Sequence, residues 1–337
     1  MARLRVALSA LGVLILALFL YRLDFGDIKL RLGELRVAPF ALAVVFTLLN
    51  IAVKGWRWRY LVRSVTGVNM SVAEGAGAVL AGVASASILP GRVLDLAKPF
   101  LLSANHDVPM VRAIPLVLLE RLVDLAALLG LFLISVGSLP RLDAWGGAGM
   151  LGVAAAGLAV MLLAFAFPSV WLSRMERLIH RLLAGGRAAR IIDAVRSSVL
   201  VVRSPRQGAA VTLLSAAALA AEVGRVYCVF LAFGLALSPG AAAFTFAGSV
   251  LAGLLALIPG GLGVTETSQA AMLGSLVAAS APGQISGAVL VDRFISYYGL
   301  VAAGAVILVL AGRGSKGRQG DREGSAKRRS GEHDSEI

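Results

Sequence analysis

Two stretches of this chain set a helix-breaking dipeptide, a carboxylate just beyond it and a later acid-arginine pair inside apolar sequence. The first runs Ser87-Ile88-Leu89-Pro90-Gly91-Arg92-Val93-Leu94-Asp95 with Lys98 following, and about thirty residues on comes Glu120-Arg121-Leu122-Val123-Asp124. The second runs Ala256-Leu257-Ile258-Pro259-Gly260-Gly261-Leu262-Gly263-Val264-Thr265-Glu266, and at a similar distance comes Asp292-Arg293-Phe294-Ile295-Ser296-Tyr297-Tyr298. The chemistry on offer is charge recognition and proton handling. Arg92, Lys98, Arg121 and Arg293 can attract a phosphate, while Asp95, Glu120, Asp124, Glu266 and Asp292 can supply counter-charge or proton sites. Short helices that meet at a buried turn add free N-terminal amides, which stabilise an anion by hydrogen bonds and by the helix dipole. Pro259 breaks the second helix, and Gly260, Gly261 and Gly263 allow its turn to pack closely against a partner or a lipid headgroup.

The same residues admit a structural reading: ion pairs that hold a bundle together, and a Pro-Gly-Gly that is simply a kink. An ionised side chain at the centre of a membrane helix costs about 2.5–3.5 kcal/mol, so Glu120, Arg121, Asp124, Glu222, Arg225, Asp292 and Arg293 left unpaired in lipid would cost about 20 kcal/mol. They must pair or face water. Glu222 and Arg225 belong to neither stretch, and their i, i+3 spacing suits a bond along one helix.

The elements that position these groups are membrane helices. The 337 residues are 58% apolar, mean hydropathy is +0.85, and apolar runs near bilayer length recur. The runs are continuous rather than alternating, which favours helices over a barrel, and 38 glycines suit closely packed helices. Spans are expected at about 6–21, 38–53, 113–138, 145–170, 208–233 and 285–311. Two further regions, about 72–104 and 241–281, are each expected to be two short helices meeting at the Pro-Gly break. The fold expected is therefore an all-α polytopic membrane protein, with about six full spans plus two re-entrant regions in an inverted repeat. Full crossing by either broken region would raise the count.

Net charge is +13, yet its placement argues for a membrane surface rather than nucleic acid. Basic residues cluster at Arg3 and Arg5, at Lys54, Arg57, Arg59 and Arg63, between Arg174 and Arg206, and from Arg313 onward, flanking apolar segments in the positive-inside pattern. That pattern puts residues 54–70 and 171–207 and both termini in the cytoplasm, against which stand four basic residues between Arg22 and Arg36. Trp56, Trp58 and Tyr60 alternating with Arg57 and Arg59 read as an interfacial anchor, with direct headgroup contact as the alternative. Residues 171–207 read as an interfacial basic helix or a solvated loop, and 312–337 as a disordered polar tail after a transmembrane domain at 1–311. Arg3 and Arg5 precede an apolar run with no cleavage site, so the first helix is expected to be retained. Cys228 is the lone cysteine and the three histidines lie far apart, so neither a metal centre nor a cofactor is expected, and no phosphate-loop motif for ATP occurs.

In Arg57-Trp58, Leu89-Pro90-Gly91 with Asp95 and Lys98, Glu120-Arg121 with Asp124, and Pro259-Gly260-Gly261-x-Gly263-x-x-Glu266, the chain resembles the lysylphosphatidylglycerol synthase transmembrane-region family, often described as flippase-like. The likeness covers about residues 6–311. Where that family usually carries Gly-Glu and then Arg in the first turn, this chain carries Leu94-Asp95 and Lys98, with charge signs kept. The resemblance implies moving or handling a polar lipid across the inner membrane. Longer relatives carry a soluble aminoacyl-transfer domain, whereas residues after Ala311 form only a polar tail, so synthase activity is not expected. The function expected is flippase-type translocation of an anionic phospholipid or a polyprenyl-phosphate-linked lipid, either proton-coupled or energy-independent. Two rivals stand beside it: a membrane-embedded lipid transferase using the buried carboxylates, and a non-catalytic partner of a separately encoded lipid-modifying enzyme or glycosyltransferase.

Overall fold

The computed structural model describes residues 2–21, 25–87, 95–137, 139, 147–166, 192–193, 195–196, 204–277 and 282–312. Arg92 with the rest of the first Pro-Gly break, most of the 171–207 segment and the tail after 312 lie outside the described residues.

The described residues form helices and turns, with no strand among them. In chain order they are α1 Ala2–Tyr21, α2 Phe25–Gly33, α3 Val37–Thr66, α4 Val72–Ser87, α5 Ala97–His106, α6 Met110–Val136, α7 Gly147–Ala166, α8 Pro205–Ala232, α9 Pro239–Leu255, α10 Val264–Leu276 and α11 Pro282–Gly312. Three of these, α3, α8 and α11, are clearly long and apolar enough to cross a bilayer, each exceeding about 40 Å at 1.5 Å per residue. α11 carries a π-turn at Phe294–Tyr298, directly after its Asp292-Arg293 pair.

Local sequence explains several boundaries. Ser71 and Glu74 form a reciprocal capping box at the start of α4, with Ser71 N donating to Glu74 Oε2 at 2.7 Å and Glu74 N to Ser71 Oγ at 3.1 Å. Ser238 caps α9 ahead of Pro239 at the first helical position. α3 ends where Gly67 turns left-handed, its amide reaching Arg63 O at 3.1 Å. The second region expected to break does so, with α9 and α10 flanking a single 3₁₀ turn at Pro259–Gly261, while the first is described only on either side of its Pro-Gly, as α4 up to Ser87 and α5 from Ala97. Leu257, just before that turn, holds φ +54°, an uncommon and costly conformation for a bulky side chain.

α3 and α8 form the most extensive helix pair, and they run antiparallel. Arg36 N donates to Ala232 O at 2.9 Å at one end, Asn50 Nδ2 to Ala218 O at 2.7 Å near the middle, and Arg57 Nη1 to Ser215 Oγ at 2.6 Å further along. α4 lies so close to α3 that a Cβ on Gly55 would sit 2.8 Å from Ala76 N, the small-residue contact that lets membrane helices approach. The arms of the breaks cross between halves. α6 of the first half packs on α9 of the second, where Phe132 stacks on Phe244 at 5.6 Å; α11 of the second half packs on α4 of the first, where Gly304 faces the Leu80 carbonyl.

Candidate functional site

The first cluster gathers α3, α5, α6 and α8. Arg57 is 1% exposed and donates from Nη2 to Glu120 Oε1 at 2.7 Å and to Asp124 Oδ2 at 2.9 Å, with Nη1 bonded to Asp124 and to Ser215. Glu120 and Asp124 can share it because i and i+4 fall on one face of α6. Lys98 reaches the other Glu120 oxygen at 2.7 Å and stands 3.4 Å from Asp95 Oδ2, its ammonium 5.2 Å from the centre of the Trp58 ring. Arg121 Nη2 meets Asp95 at 3.5 Å, with a side chain still 34% exposed.

This corrects the interfacial reading of Arg57 and Trp58, both of which are buried while Trp56 faces outward. The expected span 38–53 ended at charges that α3 in fact carries inward. Two carboxylates from α6 neutralise Arg57, a compensation that local hydropathy cannot register. The free-amide expectation also changes at α5. Ala97 N donates to Ser85 Oγ at 3.3 Å and Lys98 N to Asp95 Oδ1 at 3.4 Å, so Asp95 serves as a cap there.

The second cluster gathers α8, α10 and α11. Arg293 Nε donates to Glu266 Oε1 at 2.6 Å and Nη2 to Gly260 O at 3.5 Å, while Tyr298 Oη donates to the same Glu266 oxygen at 2.9 Å. The guanidinium also lies 4.5 Å from the Tyr297 ring centre. Pro259, Gly260, Gly261 and Gly263 are buried, with φ of 66°, 64° and 78° at the three glycines. Gly263 abuts Ile15 and Leu16 of α1, where a Cβ would fall 2.7 Å from Leu16 N; the close approach is made by protein. Asp292 pairs with Arg225 Nε at 3.4 Å. Arg225 therefore does not bond along α8 to Glu222 as expected, and Glu222 instead takes Lys54 and the Asn50 amide.

The two clusters share a plan. In each, the acid after the break meets the arginine of the later acid-arginine pair, Asp95 with Arg121 and Glu266 with Arg293. In each, the acid of that pair meets an arginine from the preceding long helix, Glu120 with Arg57 and Asp292 with Arg225. Sequence reading did not assign Ser215 or Tyr298 a role, and as site members it met Arg57 only through the family resemblance and Arg225 only as a buried charge in need of a partner. The usable signal was the position of Arg57 and Arg225, each on the long helix that precedes a broken pair.

Between the clusters lies a cavity of roughly 1190 Å³. Arg121 and Asp124 of the first cluster and Arg225, Gln269, Asp292 and Arg293 of the second line it, together with Lys54 and Glu222. Much of the wall is apolar and includes Leu122, Leu255 and Leu257, which are also exposed on the flank of the bundle. Lys54, Arg57, Lys98, Arg121, Arg225 and Arg293 face Asp95, Glu120, Asp124, Glu222, Glu266 and Asp292, a balanced set of cations and carboxylates. Among the described residues no three histidine, cysteine or carboxylate groups gather to hold a metal.

Residues 4–304 match the family described as the lysylphosphatidylglycerol synthase TM region. An 86-residue stretch is 41% identical to a UPF0104 membrane protein of Methanothermobacter thermautotrophicus, covering 25% of this chain and 25% of that relative.

Proposed function

Because the chain belongs to the lysylphosphatidylglycerol synthase transmembrane-region family, a membrane family whose description ties it to lipid, we propose that it translocates a phosphate-bearing lipid across the inner membrane in flippase fashion. The observation that carries this is the cavity, polar where the two clusters face it and apolar toward the flank at Leu122 and Leu255. A headgroup at the polar end and acyl chains along the apolar wall would each meet matching surface. Arg121 is the phosphate ligand of choice. Its pairing with Asp95 is the longest of the buried set at 3.5 Å and its side chain is a third exposed. An incoming phosphate substitutes for a carboxylate in an otherwise balanced network, which avoids an uncompensated buried charge.

The antiparallel course of α3 and α8, the shared plan of the clusters and the crossed α6–α9 and α4–α11 contacts support two inverted repeats, each a long helix, a broken pair and a final helix. The remaining carboxylates would hold protons if movement is coupled to a gradient. Both termini would be cytoplasmic, and the chain would act without synthase chemistry of its own.

The test is headgroup accessibility of fluorescent anionic phospholipid and polyprenyl-phosphate probes in reconstituted liposomes. Wild type should move one class, and Arg121→Ala and Glu266→Gln, recovered at normal levels in the membrane, should not. Normal movement by both variants sinks the assignment. No movement by wild type, with or without a proton gradient, favours a non-catalytic partner of a lipid-modifying enzyme.

A further inference from the structure

The shared plan of the two clusters breaks at one place. In each half the acid after the break meets the later arginine, but Asp95 and Arg121 stand 3.5 Å apart, whereas Glu266 and Arg293 meet at 2.6 Å. Arg121 is followed, four and five residues on, by Leu125 and Ala126 in an uninterrupted α6. Arg293 is followed by Tyr297 and Tyr298, and there α11 opens into its π-turn, closed by Gly299 N donating to Phe294 O. At about 100° per residue, a plain α-helix would turn Tyr298 about 140° away from Arg293. The wider turn brings it back. The guanidinium lies 4.5 Å from the Tyr297 ring centre and 5.9 Å from that of Tyr298, and Tyr298 Oη donates to Glu266 Oε1 at 2.9 Å. Irregular turns of this kind recur at functional sites.

The hydroxyl of Tyr298 decides whether Arg293 can turn away from its acid. Both Arg121 and Arg293 line the cavity, so a phosphate held by one can be taken over by the other. An arginine that leaves a buried carboxylate strands it, and that cost blocks the exchange unless another donor stays behind. Asp95 has such donors in the Lys98 ammonium, the Lys98 amide and Ser85 Oγ, each at 3.4 Å. Glu266 is 0% exposed, its Oε2 meets no hydrogen-bond donor among the described residues, and its Oε1 would keep Tyr298. We propose that Arg293 is a second phosphate ligand, reached after Arg121, and that Tyr298 is the positioning residue that holds Glu266 while Arg293 is on the phosphate. The order follows from the pairs themselves, since Arg121 is the looser and a third exposed. This rests on the translocation reading above, and adds to it a sequence of two arginines and the group that makes the second one releasable.

The test compares full-length wild type, Tyr298→Phe and Arg121→Ala, using whichever of the fluorescent anionic phospholipid and polyprenyl-phosphate probes the wild type moves. Binding is read in detergent, and movement is read in liposomes over a range of probe content. Tyr298→Phe keeps the ring and loses the donor. It should bind the probe with unchanged affinity, because Arg121 is intact, while its maximal rate falls about tenfold, the scale of one hydrogen bond to a charged group. Arg121→Ala should instead lose binding. A wild-type maximal rate in Tyr298→Phe overturns the proposal while translocation stands. So does a loss of binding in step with the rate, which would make Tyr298 a prop of the fold. Tyr298→Leu, which also lacks the donor, carries the same expectation should the phenylalanine variant not be recovered. If the wild type moves neither probe, the translocation reading fails and the two-arginine sequence with it.

Discussion

Glu266 and Arg293 meet at 2.6 Å with side chains 0% and 6% exposed, joined across 27 residues of chain. Removing one partner of a buried pair strands the other, at a cost of about 3–5 kcal/mol, whereas replacing both with apolar groups is often far milder. Arg293→Met alone should therefore lower the thermal unfolding midpoint in detergent sharply, and Arg293→Met with Glu266→Met should recover much of the loss. A double variant as unstable as the sum of the two singles would contradict a mutual pairing.

Arg57 and Arg59 are separated by one residue but by very different surroundings. Arg57 is buried against two carboxylates, whereas the bond that Arg59 makes to Asn69, at 3.2 Å, is exposed. Arg57→Ala should destabilise by about 3–5 kcal/mol and Arg59→Ala by less than about 1 kcal/mol. Thermal unfolding of the two purified variants makes the comparison.

Two glycines of adjacent helices give the opposite kind of contrast. A methyl at Gly55 would press on the α4 backbone, 2.8 Å from Ala76 N, while a methyl at Gly77 meets nothing within 4 Å. Gly55→Ala should cost about 1–3 kcal/mol through overpacking. Gly77→Ala should be neutral or stabilising by up to about 1 kcal/mol, because alanine is the better helix former. Heat-challenge size-exclusion profiles of both variants would show whether the α3–α4 contact is as tight as described.

Lys54 and Glu222 link α3 to α8 at the cavity wall. Lys54→Glu or Glu222→Lys alone places like charges together and should reduce both stability and lipid movement. The exchanged double variant should restore stability, which a double-mutant cycle on unfolding midpoints measures directly. Lack of recovery would show that Asn50, which also bonds Glu222 at 3.3 Å, fixes the polarity of the site.

Helix existence was legible because apolar runs of bilayer length are a local property, and the breaks were legible because proline and glycine act where they stand. The Asp95, Glu120 and Arg121 group was legible for the same reason, as charges that apolar neighbours cannot satisfy. Which charge meets which was not. Arg57 looks like a flanking cation until α6 brings Glu120 and Asp124 to it, and Glu222 and Arg225 look like partners until α3 and α11 offer each a different one. Gln269 carries no charge and so raised no alarm; only the folded arrangement shows it buried beside Asp292 at the cavity wall.

The crossed contacts also bear on how the chain is made. α4 is synthesised early, yet the helix that covers its Leu80 carbonyl carries Gly304, more than two hundred residues later. The first half thus leaves the ribosome with one arm of its break unpacked, and at 5–20 residues per second that interval lasts about ten seconds or more. Neither half is a finished folding unit, so the insertion machinery must shelter α4 until α11 arrives, and separately expressed halves should be stable only together.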